Sequence, residues 1–279
     1  MITVIGATGN VGRHLVAALA AAGEEVTAVS RRPGEFPAGV RHVGADITDP
    51  ASLKPAVDGA RALFVLVDGA GFVHTKAADV VEVAKAGGVA RVVALSSQGV
   101  GTRPDSSSHG TQARAYEAGF QDPDLEWTIL RPNGFQSNTL AWAESVRTRR
   151  EVAAPFADVA LPFVDPADIA EVAAAALTRD GHHGATYVLT GPVADTPRER
   201  TAALAEVLGE PVRFVEQSRA QARAEMLAYM PEPVVETTLD VLGRPTAAEA
   251  EPTPVVERLL GRPGNPFRGW GARNAALFR

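Results

Sequence analysis

Cysteine is absent from the 279 residues, which removes disulfides, thiolate metal ligands and a cysteine nucleophile and suits a reducing cytosol. Redox chemistry on this chain would need a borrowed cofactor. Lysine is scarce as well, with Lys54, Lys76 and Lys85 the only three. No run of about 18 apolar residues occurs, and MITVIGATGNVGRHLV carries neither a basic leader nor a small-residue cleavage site. Neither a membrane span nor a secretion signal is expected, and the expected location is the cytoplasm. A basic excess is also missing: 27 Lys and Arg stand against 33 Asp and Glu, spread along the chain, for a net charge of −6. A nucleic-acid surface is therefore not expected, while a small anionic ligand held by a local pocket stays open. What is present is an ordinary globular composition, 46% hydrophobic and 22% charged, sufficient for one large or two small domains.

The first half alternates strand and helix patterns. Ile2 to Ile5 is a short β-branched run, followed by the glycine-rich turn Gly6 to Gly12 and a helical stretch Arg13 to Ala22 that stops at Gly23. Strands over Glu25 to Ser30 and Val40 to Val43, a helix over Asp49 to Val57, a nearly all-apolar strand Ala62 to Val67, a helix Thr75 to Ala86 and a strand Arg91 to Leu95 continue the order. This βαβαβ pattern predicts an open parallel sheet with a ligand crevice beyond the strand C-termini. Later come a helix Thr111 to Phe120, a strand Glu126 to Leu130, an Ala-rich helix Pro166 to Leu177 opened by Asp165, and a strand Thr186 to Thr190. Beyond Gly191 a helix over Pro197 to Leu208 and a strand over Val212 to Glu216 precede a final Pro- and Gly-rich tail; the Glu-Pro pairs near the C-terminus, and Ser106 to Ser108 earlier, read as loops. The expected fold is α/β, a Rossmann-type doubly wound parallel sheet with a smaller C-terminal substrate or lid region. Residues 1–133 and 164–190 would form the core and residues 134–163 and 191–279 the lid, with Phe214, Met226, Leu227, Tyr229 and Met230 as lid apolar residues.

In Gly6-Ala7-Thr8-Gly9-Asn10-Val11-Gly12 the glycines recur every three residues between a strand and a helix. That placement lets the backbone turn tightly, approach a pyrophosphate and pack helix on strand, with free N–H groups at the helix start. Thr8, Asn10 and Val11 would join Gly6, Gly9 and Gly12 there. After the second strand stands Ser30-Arg31-Arg32, where a carboxylate would favour the ribose hydroxyls of NAD; two guanidiniums favour a 2′-phosphate, hence NADP(H). Asp46 and Ile47, after the third strand, would sit beside the adenine, or Asp46 is a turn residue or helix cap.

These segments, together with ALSS at Ala94 to Ser97, WTILRPNGFQSN at Trp127 to Asn138, FVDPADIAEVAAAAL at Phe163 to Leu177 and YVLTGP at Tyr187 to Pro192, resemble the NmrA-like branch of the atypical short-chain dehydrogenase/reductases across most of the chain. The resemblance implies NADP(H) bound along the strand C-termini and a C-terminal substrate region. It also implies cofactor or substrate contacts near Val67, Lys76, Pro132, Asn133 and Phe135. The family holds quinone and dye reductases and also regulators that bind dinucleotide without turnover.

The Tyr-x-x-x-Lys pair by which many short-chain dehydrogenases protonate their product is missing, since Phe120, Gly191 and Pro233 stand four residues after Tyr116, Tyr187 and Tyr229. Ser96 is a candidate for catalysis or nicotinamide contact, or else only turns the chain with Ser97; Gln98 could offer an amide. His109 is a candidate acid or a loop histidine, and Tyr116 a substrate contact or a packing residue. Lys76 meets cofactor or substrate, or lies solvated on its helix, and Phe135 lines an apolar pocket or is ordinary core. His182 and His183 read as an exposed turn, and no metal site is expected. Three functions follow. The leading one is an NADPH-dependent reductase of a small apolar or aromatic carbonyl, quinone or conjugated alkene. The others are a non-catalytic NADP(H)-sensing regulator and an isomerase or epimerase whose NADP is not consumed. The expected partner is a small-molecule substrate, with no nucleic acid and no membrane; a homodimer is left open.

Overall fold

The computed structural model describes residues 1–67, 74–108 and 110–279. Its main sheet has seven parallel strands in the order β3-β2-β1-β4-β5-β6-β8. They are β1 (Ile2–Ile5), β2 (Val26–Ser30), β3 (Arg41–Gly44), β4 (Ala62–Val65), β5 (Arg91–Leu95), β6 (Glu126–Pro132) and β8 (Ala185–Leu189). The chain thus has the Rossmann-type α/β fold that the alternation predicts, with the order reversing between β1 and β4.

Alternation along each strand divides the core into two apolar layers. Ile2, Val4, Ala62 and Phe64 face α1 (Gly12–Ala21) and the later helix Pro166–Thr178, while Leu63, Val65, Val92 and Ala94 face the other side. That second layer is closed by α2 (Lys54–Val57), α3 (Ala77–Ala86) and α5 (Thr111–Phe120), with α4 (Gly99–Thr102) a single turn after β5. Residues 50–57, expected as one helix, form a 3₁₀ turn, Pro50–Leu53, leading into α2. Pro55 lacks the N–H that a continuous α-helical ladder from Pro50 would use.

The remaining segments include a separate two-stranded sheet. α6 (Ala143–Arg149) leads to β7 (Glu151–Pro155), which pairs in parallel with β9 (Arg213–Gln217). Between them run α7 (Pro166–Thr178), whose N-cap Asp165 accepts the Ala167 N–H, and α8 (Pro197–Leu208), opened by the Thr196–Glu199 capping box. The tail after β9 is helical: α9 (Arg219–Met226), α10 (Glu232–Gly243), α11 (Ala247–Ala250), α12 (Val255–Leu260) and α13 (Phe267–Asn274). Glu232-Pro233 opens α10, because proline is tolerated in a first helical turn, where its missing N–H has no intrahelical partner. Phe267, Trp270 and Phe278 pack with Leu204 of α8 and Val152 of β7. Phe214 joins that cluster, Met226 and Met230 pack on Val235 and Leu239, and Leu227 and Tyr229 are exposed. Among the described residues no helix is long and apolar enough to cross a membrane.

Candidate functional site

Parallel strands bring their C-terminal ends to one edge, and the expected cofactor residues follow those ends one by one. Gly6 to Gly12 follow β1, Arg31 and Arg32 follow β2, and Asp46 and Ile47 follow β3. Val67 follows β4, Ser96 follows β5, and Asn133 to Phe135 follow Pro132 at the end of β6.

The glycine turn has the shape of a phosphate cradle. Gly6 has φ +77°, in the left-handed region. A Cβ on Gly12 would lie 2.1 Å from the Gly6 carbonyl oxygen, so the helix reaches the turn only without one. A Cβ on Gly9 would meet only the Gly6 oxygen at 3.2 Å and Leu66 at 3.8 Å; its other side is open. Thr8 and Asn10 are exposed, Val11 is buried, and α1 starts with no side-chain cap. Asn10 instead donates to the Ser137 hydroxyl at 3.2 Å. The His14 imidazole is pushed down by partial burial and, less, by the charges of Arg13 and Arg273. The residues fit a dinucleotide pyrophosphate.

The loop after β2 is set by Ser30, whose hydroxyl donates to the Arg32 carbonyl at 2.6 Å and lies 3.0 Å from His42 Nε2. His42 stacks with Phe36, and Gly34 presses on Thr8, where an added Cβ would come within 2.6 Å of the methyl. Arg31 and Arg32 are exposed beside the glycine turn, free to receive a 2′-phosphate. Asp46 acts as a turn residue, accepting the Thr48 N–H at 2.9 Å and its hydroxyl at 2.8 Å. Those bonds, with the Arg31 charge against a smaller opposing effect of burial, hold its carboxyl below the usual range. Ile47 and Val67 are half-buried against the second apolar layer.

The catalytic candidates separate. Ser96 is buried and donates its hydroxyl to Glu117, which Arg131 grips through Nε at 2.8 Å and Nη2 at 2.6 Å. Ser97 accepts the Gly99 N–H and so turns the chain into α4. Tyr116 is 2% exposed and packs edge-on to Phe120 at 4.9 Å; burial raises its phenol far above the ordinary value. Lys76 is exposed at the N-cap of α3. His109 lies outside the described residues. His182 Nδ1 is 2.9 Å from the Tyr187 hydroxyl, and His183 meets the ring of Trp127.

Arg103 and the α11 residues Ala248 and Glu249, not singled out in the sequence, complete this edge. Asn133 donates to the Glu249 carbonyl at 2.9 Å and Gln98 to the Ala248 carbonyl at 2.6 Å, both on α11. Arg103 forms a two-pronged pair with the Glu249 carboxylate at 2.9 and 2.7 Å. Ser108 donates to Pro233 of α10. The C-terminal segment is thus seated on the loops after β5 and β6. Phe135 is half-buried and its backbone bridges to Val164. The Thr246-x-x-Glu249 capping box was a readable signal for α11; its docking partners, 116 to 150 residues away in sequence, were not.

The family described as NAD(P)H-binding matches residues 6–180. The (4-alkanoyl-5-oxo-2,5-dihydrofuran-3-yl)methyl phosphate reductase of Streptomyces griseus is 41% identical over 100% of this chain and 99% of its own. The NAD(P)H azoreductase of Xenophilus azovorans is 31% identical over 100% and 99%. Among solved structures, the NADPH-dependent quinone oxidoreductase of Escherichia coli complexed with NADPH superimposes with a TM-score of 0.78 at 23% identity, over 100% of both chains. With the cradle and these relatives together, the chain belongs to the NAD(P)H-binding family and is an oxidoreductase.

Proposed function

We propose that the chain reduces an activated acceptor, a conjugated alkene flanked by carbonyls or a quinone, with NADPH as reductant. The observation that carries this reading is that Ser96 commits its proton to Glu117, while Tyr116 is buried. An isolated ketone accepts hydride readily only as a proton reaches its oxygen, because the alkoxide is a strong base. An alkene conjugated to two carbonyls, or a quinone, takes hydride to give a delocalised anion that collects its proton from water afterwards. A chain that offers no Tyr–Lys pair suits the second kind of acceptor. The compound named for the S. griseus relative contains such an alkene, one carbon of which carries both a lactone carbonyl and an alkanoyl group.

When bound, NADPH supplies the hydride. The Gly6–Gly12 turn and α1 would hold its pyrophosphate, and Arg31 and Arg32 its 2′-phosphate. Pro132, Asn133 and Phe135 would border the acceptor, and α11, held by Gln98, Arg103 and Asn133, would limit water there. The division into a core of 1–133 and 164–190 and a lid of 134–163 and 191–279 goes with this proposal.

The test is a fluorescence titration with NADPH and NADH, then a panel of butenolides, quinones and aromatic ketones followed by loss of reduced-nicotinamide absorbance. Turnover of butenolides or quinones, with simple ketones untouched, is expected. Ketone turnover with the conjugated acceptors untouched would overturn the acceptor class; tight NADPH binding with no turnover at all would favour a sensor.

A further inference from the structure

Arg200, in the first turn of α8, is only 4% exposed. Its guanidinium carbon lies over the Phe163 ring, 4.1 Å from the centroid. Its Nε makes one long contact, 3.5 Å, with the Thr196 carbonyl. Among the described residues its two terminal nitrogens meet no acceptor, yet they are not sealed from solvent. Asp195 acts on it through space without reaching ion-pair distance. Burial, only partly offset by Asp195, pushes the guanidinium down to about 10.

A charge so placed is costly unless something neutralises it. Elsewhere the chain supplies carboxylates: Arg103 has Glu249, Arg131 has Glu117, and Arg262 has Asp168. Arg200 has an aromatic face and unused N–H groups. A guanidinium resting on an aromatic ring keeps its in-plane N–H fork available for two-pronged binding of an oxyanion. The same ring of Phe163 covers Gly134, where an added Cβ would come within 2.7 Å of it. Gly134 directly follows Asn133, so one aromatic ring separates Arg200 from the strand-end residues that border the proposed acceptor pocket.

We propose that Arg200 is the oxyanion-recognition residue of the acceptor site, receiving a phosphate monoester or carboxylate carried by the acceptor. This deepens the reductase reading and rests on it for the position of the acceptor. The cofactor's 2′-phosphate belongs to Arg31 and Arg32 after β2, so Arg200 serves a different anion. The compound named for the S. griseus relative carries a phosphate monoester on its ring methyl, an anion of the required kind.

Two measurements test this on the full chain saturated with NADP, so that the cofactor's own phosphate sites are filled. Calorimetric titration with phenyl phosphate, and separately with benzoate, compares the wild type with Arg200→Met and Arg200→Lys. Binding is expected to weaken on the order of ten- to a hundredfold in Arg200→Met, with partial recovery in Arg200→Lys, whichever of the two anions binds. The second measurement uses a butenolide bearing a methyl phosphate and its neutral methyl ether. KM for the phosphate should rise by a similar factor in Arg200→Met while KM for the ether and both kcat values hold. Equal anion binding by wild type and variants overturns the proposal, and so does a parallel rise of both KM values, which marks a packing role. If Arg200→Met does not fold, Arg200→Lys alone decides, because it keeps the charge and loses the fork. A wild type that reduces neither acceptor sinks the reductase reading, and the calorimetry then judges Arg200 by itself.

Discussion

Ser96, at the end of β5, donates its hydroxyl to the same Glu117 carboxylate that Arg131 of β6 holds with two hydrogen bonds, so a residue expected at the nicotinamide is tied into a buried ion pair. The arrangement fastens α5 to the sheet, since Glu117 lies on that helix and both of its partners lie at strand ends.

Replacing Ser96 by Ala should therefore lower Tm by several degrees, for a bond of about 2 kcal/mol to a charged group, and leave kcat within about threefold. Glu117→Gln should cost more, about 3 kcal/mol, because it strands Arg131. Thermal melts beside steady-state rates separate the cases. A hundredfold fall in kcat with Tm unchanged in Ser96→Ala would return the hydroxyl to the chemistry.

Arg31 and Arg32 stand exposed beside the glycine turn. Changing both to Ala should cut the NADPH to NADH affinity ratio by about ten- to a hundredfold, the worth of charge-assisted bonds to a phosphate, with NADH affinity little changed. An unaltered ratio in competitive fluorescence titrations would place the 2′-phosphate elsewhere.

Gly12 and Gly9 should fail differently. Gly12→Ala puts a methyl 2.1 Å from the Gly6 oxygen and should lower Tm sharply. Gly9→Asp crowds the Gly6 oxygen only to 3.2 Å, far less than Gly12→Ala, and places a carboxylate at the proposed pyrophosphate position, so it should keep its circular dichroism and lose NADPH binding. NADPH binding by a folded Gly9→Asp protein would undo the assignment of the cradle.

Acid should loosen the C-terminal segment. Burial alone would raise the Glu249 carboxyl, but the hydrogen bonds from Arg103 and the Thr246 N–H outweigh it and hold the folded-state value below the ordinary glutamate range. A depressed folded value stabilises the folded state above the unfolded value, and that stability is lost as pH falls through the folded one. Hydrogen exchange of residues 232–250 should therefore accelerate as pH drops below about 4.5 relative to the intrinsic rate, and Glu249→Gln should show fast exchange at every pH. Asp165 and Asp168 are shifted the other way, raised by burial, so they do not produce this loss. Acid-independent protection in the wild type would mean that the Arg103 pair does not latch the segment.

Strand alternation, the three glycines and the arginine pair were legible in the chain because each depends on neighbours within a few residues: a period of two, a left-handed φ at Gly6, a missing Cβ at Gly12. From them came the parallel sheet and the nucleotide edge. The helical tail was obscured because proline reads as a breaker, although Pro233 sits where a helix starts.

What the sequence by itself determined is thus the fold class and the shape of the glycine turn, through local backbone demands. Only the tertiary structure decided that Ser96 serves Glu117, that Tyr116 is core, that Gln98 and Asn133 hold α11, and that Arg200 reaches Phe163 without a carboxylate. The physical reason is that a hydrogen bond or an ion pair joins groups by distance in space, and residues 14 to 150 positions apart meet only after the sheet has formed.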